Sequence, residues 1–163
     1  MKSIKTIIQA LVISHLDYGN ALLYGLPETI TKQMQSIQSS AAKLILKLIR
    51  YESSTQALKK LNWLPIRKRI EFKIITIVHK SLYGKAPDYI KKMIKEKTTG
   101  YSLISRKKQH VAKTKLKKLT ETVRGPKLWN SLPQKLRVEK KFACFKILLK
   151  THLFRKHFNS TSH

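Results

Sequence analysis

Acidic residues are scarce in this sequence. Eight Asp and Glu stand against thirty-five Lys and Arg, a net charge of +27 over 163 residues, or about one excess positive charge for every six residues. The acids, Asp17, Glu28, Glu52, Glu71, Asp88, Glu96, Glu121 and Glu139, are scattered along the chain. No two form the close pair that holds a divalent metal or runs acid–base chemistry. Cysteine is nearly absent too: Cys144 stands alone, so no internal disulfide can form, and one thiol with six dispersed histidines does not build a zinc site. That usage fits a reducing compartment, intracellular and either nuclear or cytoplasmic. Among Phe142, Phe145 and Ile147, Cys144 reads as a small buried hydrophobe. The five glycines make neither a P-loop nor a dinucleotide fingerprint. Neither a metal nor a cofactor is expected. No apolar run reaches membrane-spanning length. Residues 1–14 loosely mimic a signal peptide, but Lys5 and Gln9 interrupt the apolar region and no cleavage site follows, so this stretch reads as an amphipathic helix.

What is present is a helical period. Apolar residues make up 42% of the chain, enough for a core. Ile4, Ile7, Ile8, Leu11, Val12, His15 and Leu22 recur at steps of three and four, with an end expected at Gly25-Leu26-Pro27. His15 reads as a packed core histidine; its neighbours Ser14 and Asp17 point elsewhere on a helix and cannot join it in a triad. A second helix is expected over about 29–50, with Ile30, Met34, Ile37, Ala41, Leu44, Ile45 and Leu48 on one face. Ser53 and Gln56 have capping-box spacing for a short helix to about Lys60. Pro65 suits the start of a long helix to Tyr83, stopped by Gly84, and Pro87 the start of another over 87–96. Order should return at Gly125-Pro126 with a short helix through Trp129, and a last helix should span about 139–157 with Phe142, Phe145, Leu148, Leu149, His152 and Leu153 inward. Nothing alternates as a strand would. The expected fold is all-α, an irregular helical bundle in two lobes, 1–96 and 119–163, joined by a basic segment at 97–118 that carries eight Lys and Arg and no acid.

The charge points to an anionic partner. Nucleic acid is the leading reading, because neutralised phosphates release counterions and drive binding; an anionic membrane surface is the weaker one. In "LNWLPIRKRIEFK" (61–73) the apolar arc of the long helix holds Ile66, Ile70, Ile74, Ile77 and Val78, widened by Phe72, Ile75, Leu82 and Tyr83. The arc left over holds Arg69, Lys73, Thr76 and Lys80. Arg67, Lys68 and Arg69 crowd the first turn, beside the positive end of the helix dipole, at a cost of about 0.3–1 kcal/mol each when exposed. A phosphate docked there would remove the conflict; alternatively the three cations merely solvate a helix end. Trp63 and Trp129 could stack on bases, but each adjoins a Leu-Pro in an apolar setting that favours core packing. Arg106, Lys107, Lys108, Lys113, Lys115, Lys117 and Lys118 suit non-specific contact with a phosphate backbone.

Five blocks also occur in one order: "LVISHLDYGNALLYGLP" (11–27), "LNWLPIRKRIEFKI" (61–74), "HKSLYGKAPDYI" (79–90), "GPKLWNSLP" (125–133) and "FKILLKTHLF" (145–154). Over about residues 8–157 the chain resembles the region C-terminal to the reverse transcriptase domain in the replication proteins of LINE-type, non-LTR retrotransposons of the jockey and chicken-repeat kind. The resemblance implies an origin in a polyprotein with an endonuclease and an RNA-directed DNA polymerase, whose catalytic aspartates would lie upstream of residue 1. No catalytic residue carries over. What does is a scaffold: Trp63, Leu64, Pro65, Arg69, Ile70, Phe72 and Lys73 in one block, Leu128, Trp129, Asn130, Leu132 and Pro133 in the other. Gly19 stands where relatives usually have Cys, and residues 97–123 match the family poorly.

The expectation is therefore a non-catalytic, basic helical fragment of a retrotransposon reverse transcriptase protein, set behind the polymerase domain and holding RNA or DNA. Its electrostatic contacts would come from Arg67, Lys68, Arg69, Lys73 and Lys80 and from the cations of 106–118. A stand-alone nucleic-acid-binding protein from a truncated element and a purely structural bracing module are the rivals.

Overall fold

The computed structural model describes residues 2–18, 27–49, 51–88 and 120–159. The fold is all-α, and no strand occurs among the described residues. The chain forms two compact units: Met1–Ile70 with Leu153–His163, and Glu71–His152. The basic segment 97–118, Gly19 and almost all of the helix expected over 87–96 lie outside the described residues.

The first unit opens with α1 (Lys2–Ile8), a π-helical turn (Gln9–Ile13) and α2 (Ser14–Asp17). The helix ends at Asp17, where Tyr18 turns to extended backbone at ψ 119°, ahead of the expected stop at Gly25. In the π turn the Ser14 N–H reaches back five residues to the Gln9 carbonyl. Such a turn holds one residue more than an α turn and shifts the phase of the helix beyond it. The buried side chains therefore step by five and then three, Ile8, Ile13 and Leu16. Ile4, Ile7 and Leu11, expected inward, are exposed, and so is His15.

Next, α3 (Glu28–Leu46) starts after Pro27 with an acid in its first turn, the favourable sign for the dipole. It buries Gln38, Ala41, Ala42 and Ile45. That face is rotated from the expected one: Ile30, Ile37 and Leu44 are exposed. The partners decide this. α3 packs on α1 and on α4 (Ser54–Lys60), and Ala42 and Ala57, both fully buried, remove the bulk that would hold helices apart. Ser53 precedes α4, but its side chain makes no capping hydrogen bond, so the expected capping box does not form. Both helices end on a left-handed residue without being glycine, Lys47 at φ 53° and Asn62 at φ 54°. At each, the next N–H reaches back five residues, Leu48 to Lys43 at 3.0 Å and Trp63 to Leu58 at 2.9 Å. The second reversal delivers Trp63 and Leu64 into the core.

Two glutamines fasten that point. Gln38, fully buried, donates from Nε2 to the Leu64 carbonyl at 2.9 Å. Gln35 donates to Gln38 Oε1 at 3.1 Å and accepts the Ile66 N–H at 2.9 Å. Pro65 then offers its carbonyl to the Arg69 N–H, opening α5 (Ile66–Leu82). Gly84, at φ 72°, stops it as expected, with the Lys85 N–H on the Lys80 carbonyl at 2.8 Å.

In the second unit α5 continues from Glu71, followed by α6 (Thr120–Asn130) and α7 (Gln134–Arg137). Ile74, Ile75 and Val78 are buried, but so are Thr76, His79 and Ser81. Thr76 thus leaves the expected basic arc. Gly125 and Pro126 lie inside α6 rather than opening a helix. Gly125 is needed for close approach: a Cβ there would stand 3.0 Å from Val78 Cγ2 and 3.7 Å from Ile74 Cγ2. The last helix, α8 (Phe142–Phe158), begins three residues later than expected because Glu139 is held outside it, its carbonyl on His79 and its Oε1 accepting the Lys141 N–H. Phe145 and Leu149 are fully buried; Leu148 is 37% exposed, and Cys144 is exposed rather than packed. The end of α8 belongs to the first unit, where Leu153 and Phe158 are buried and Phe154 lies 4.4 Å from the Phe158 ring.

Candidate nucleic-acid interface

The first turn of α5 carries the sign conflict posed by Arg67, Lys68 and Arg69. Carboxylates of the same unit answer much of it. Arg69 faces Asp17 with both arms of its guanidinium, Nε on Oδ1 at 2.9 Å and the second nitrogen on Oδ2. Its side chain is only 18% exposed, and the parallel two-bond geometry is the strong form of the arginine–carboxylate pair. Arg67 meets Glu28 Oε1 at 2.9 Å, with both side chains exposed, a setting where such pairs contribute about 0.2–1 kcal/mol. The first free N–H of the helix, that of Ile66, is already taken by Gln35. Asp17 and Glu28 thus stand where an external phosphate was expected. Lys68 is half-buried, and Lys73 and Lys80 are exposed. Arg106, Lys107, Lys108, Lys113, Lys115, Lys117 and Lys118 lie outside the described residues.

In the second unit the surface is lysine-rich: Lys73, Lys80, Lys85, Lys127, Lys135, Lys140, Lys141 and Lys146 are all exposed. Two of these converge. Lys80 from α5 and Lys146 from α8 each set their ammonium against the ring of Phe142, 5.0 and 4.9 Å from its centroid. Phe142 itself is half-buried.

Beneath that ring lies a group that the sequence pattern did not single out. His79 is fully buried. It stacks on Phe145, centroids 4.0 Å apart and planes 23° from parallel, with Tyr83 at 4.5 Å, Phe142 at 5.7 Å and Trp129 at 6.1 Å. Its Nε2 lies 2.8 Å from the Glu139 carbonyl. That oxygen can only accept, so Nε2 carries the proton and the neutral ring leaves a lone pair on Nδ1. Among the described residues Nδ1 has no hydrogen-bond partner, and neither has Trp129 Nε1. Burial pushes the pKa of His79 below its ordinary 6.5; the bond to Glu139 opposes this, and the charge of Lys85 adds to it. Nearby, Tyr83 donates its hydroxyl to the Arg137 carbonyl at 3.1 Å. The signal for His79 was its position: it follows Ile75 by four residues and so shares the buried arc of α5. Trp63 and Trp129 are both buried, as their Leu-Pro settings led one to expect, and are not available as stacking platforms. Leu64, Pro65, Ile70 and Leu132 are also buried, while Arg69, Phe72, Leu128 and Asn130 are half-buried and Lys73 and Pro133 are exposed.

No family model matches the chain, and no curated protein or solved structure shows significant similarity to it. Among the described residues no three His, Cys, Asp or Glu side chains gather as a metal site would need, and no helix is long and apolar enough to cross a membrane.

Proposed function

We propose that the chain is a non-catalytic, basic helical fragment of a reverse transcriptase protein of the non-LTR retrotransposon kind. In this reading it sits behind a polymerase domain, inside the cell, in nucleus or cytoplasm, and holds the RNA or DNA backbone. The observation that carries the binding role is the pairing pattern. Two of the eight acids, Asp17 and Glu28, sit on arginines of α5, while a net +27 persists over the chain and the described lysines of the second unit face solvent. Such a surface repels itself and is relieved by a polyanion. The five ordered sequence blocks support the retrotransposon context, and the burial of Trp63 and Trp129 supports a scaffold role for two of them.

The test is a salt titration of single-stranded RNA and duplex DNA binding. Affinity should fall steeply as a straight line in log salt. No measurable binding at about 50 mM salt, where phosphate contacts are strongest, rejects the binding role. One observation favours a second reading, a module that only braces its polymerase: Arg67 and Arg69 are engaged within the unit. Bracing without binding predicts that same flat result.

A further inference from the structure

We infer that Lys80, Phe142 and Lys146 form a built phosphate-backbone site, in which one aromatic ring holds two ammonium groups ready for neighbouring phosphodiesters. This deepens the binding role proposed above and rests on it. Lysines on a bare surface sweep a wide volume, and fixing them on an anion costs side-chain entropy. Here the fixing has been done in advance. Both ammonium nitrogens lie within 5.0 Å of one ring centroid, and therefore within about 10 Å of each other. The ring is set by the rigid centre below it, where His79 and Phe145 stack at 4.0 Å. A lysine ammonium has three donors, and a π face does not satisfy them as an oxygen acceptor would. Glu139, the acid in the segment just before α8, turns Oε1 to the Lys141 N–H at 2.7 Å. The site therefore offers two cations within about 10 Å of each other on a partly apolar base. A single strand of nucleic acid presents a monoanionic phosphate at every nucleotide, so two cations this close can meet neighbouring phosphates; the apolar ring they share suits the sugar that links adjacent phosphates.

The test uses the full chain and two ligands, a single-stranded RNA and a DNA of the same sequence, titrated with salt. Lys80→Gln with Lys146→Gln should lower affinity about 25-fold at about 0.1 M salt and flatten the log–log salt slope by about 1.4, two single-strand contacts' worth. Lys59→Gln with Lys60→Gln, exposed lysines at the end of α4, sets the loss due to net charge alone. Phe142→Leu keeps every charge but frees both lysines; it should weaken binding while leaving the slope in place. Equal losses on RNA and DNA assign the contact to phosphate in either polymer, and a loss confined to one assigns it to that polymer. If the wild-type chain binds but the double variant loses no more than the Lys59/Lys60 control, or Phe142→Leu loses nothing, the site is overturned and the broader role survives. If the wild-type chain binds neither ligand, both fall.

Discussion

Lowering the pH should loosen the second unit through His79. The ring is fully buried and its Nδ1 meets no acceptor among the described residues, so a proton added there finds no partner among them and removes the neutral state that stacks on Phe145. Its pKa is depressed by burial, with Lys85 contributing. Above pH 6.5 the histidine is neutral in both folded and unfolded chains and the full stability is present. Below 6.5 the unfolded chain takes up the proton and the folded chain does not, so stability falls as pH drops toward the folded pKa, at up to about 1.4 kcal/mol per pH unit. The charged groups acting on the ring are Lys85 and Glu139, with Tyr83 also packed against it; Glu139 works against the effect and Lys85 with it. The comparison is with His79→Gln, which keeps a donor near the Glu139 carbonyl but cannot be charged. At pH 7.5 this variant should be about 2–4 kcal/mol less stable, since it forfeits the ring contacts with Phe145, Tyr83 and Phe142. Between pH 6.5 and 5 the gap should narrow by up to about 2 kcal/mol. Urea unfolding followed by tryptophan emission, run from pH 5 to 8, measures both curves. Parallel curves, with the gap constant across that range, would refute the assignment of a neutral His79.

The arginines of α5 should separate by geometry. Arg69→Lys loses the two-bond fork on Asp17 and should cost about 1–2 kcal/mol, while Arg67→Gln should stay within about 0.5 kcal/mol because its pair with Glu28 is exposed; equal costs in urea unfolding would mean that burial and fork geometry do not matter here. Gln38→Met, similar in volume, strips the bond to the Leu64 carbonyl and should cost about 1–3 kcal/mol, with early hydrogen exchange at the Ile66 amide as the local sign; protection unchanged at Ile66 would show that Gln35 holds the helix start unaided.

The long helix was legible because β-branched apolar residues repeat at one spacing. Ile66, Ile70, Ile74 and Val78 step by four, Pro65 opens the helix and Gly84 closes it, and all four apolar side chains are buried. Period alone failed where something distant sets the phase. Along residues 4–16 a π turn shifts the register midway, which no fixed period can show. On α3 two apolar faces compete, and the choice falls to the one that sets Ala42 and Gln38 toward α4 and Leu64. Pro126 reads as a helix opener until Gly125 is seen to face Val78 at close range. The conflict at the start of α5 was likewise visible as three adjacent cations, but its resolution lies at Asp17 and Glu28, dozens of residues away. Lys146 gave no signal of its own, since its pairing with Lys80 needs Phe142 between them.

Cys144 is exposed on α8, two residues from the ring that holds the two lysines, and it is the chain's one thiol. A protein with a single reachable sulfur has a covalent valence of one. In air-oxidised preparations it can link in pairs and no further, so any larger species on a non-reducing gel must have another cause. The same uniqueness makes it a natural labelling point: a maleimide dye attaches at one known address, without prior removal of competing cysteines, and beside the surface whose occupancy one would wish to watch.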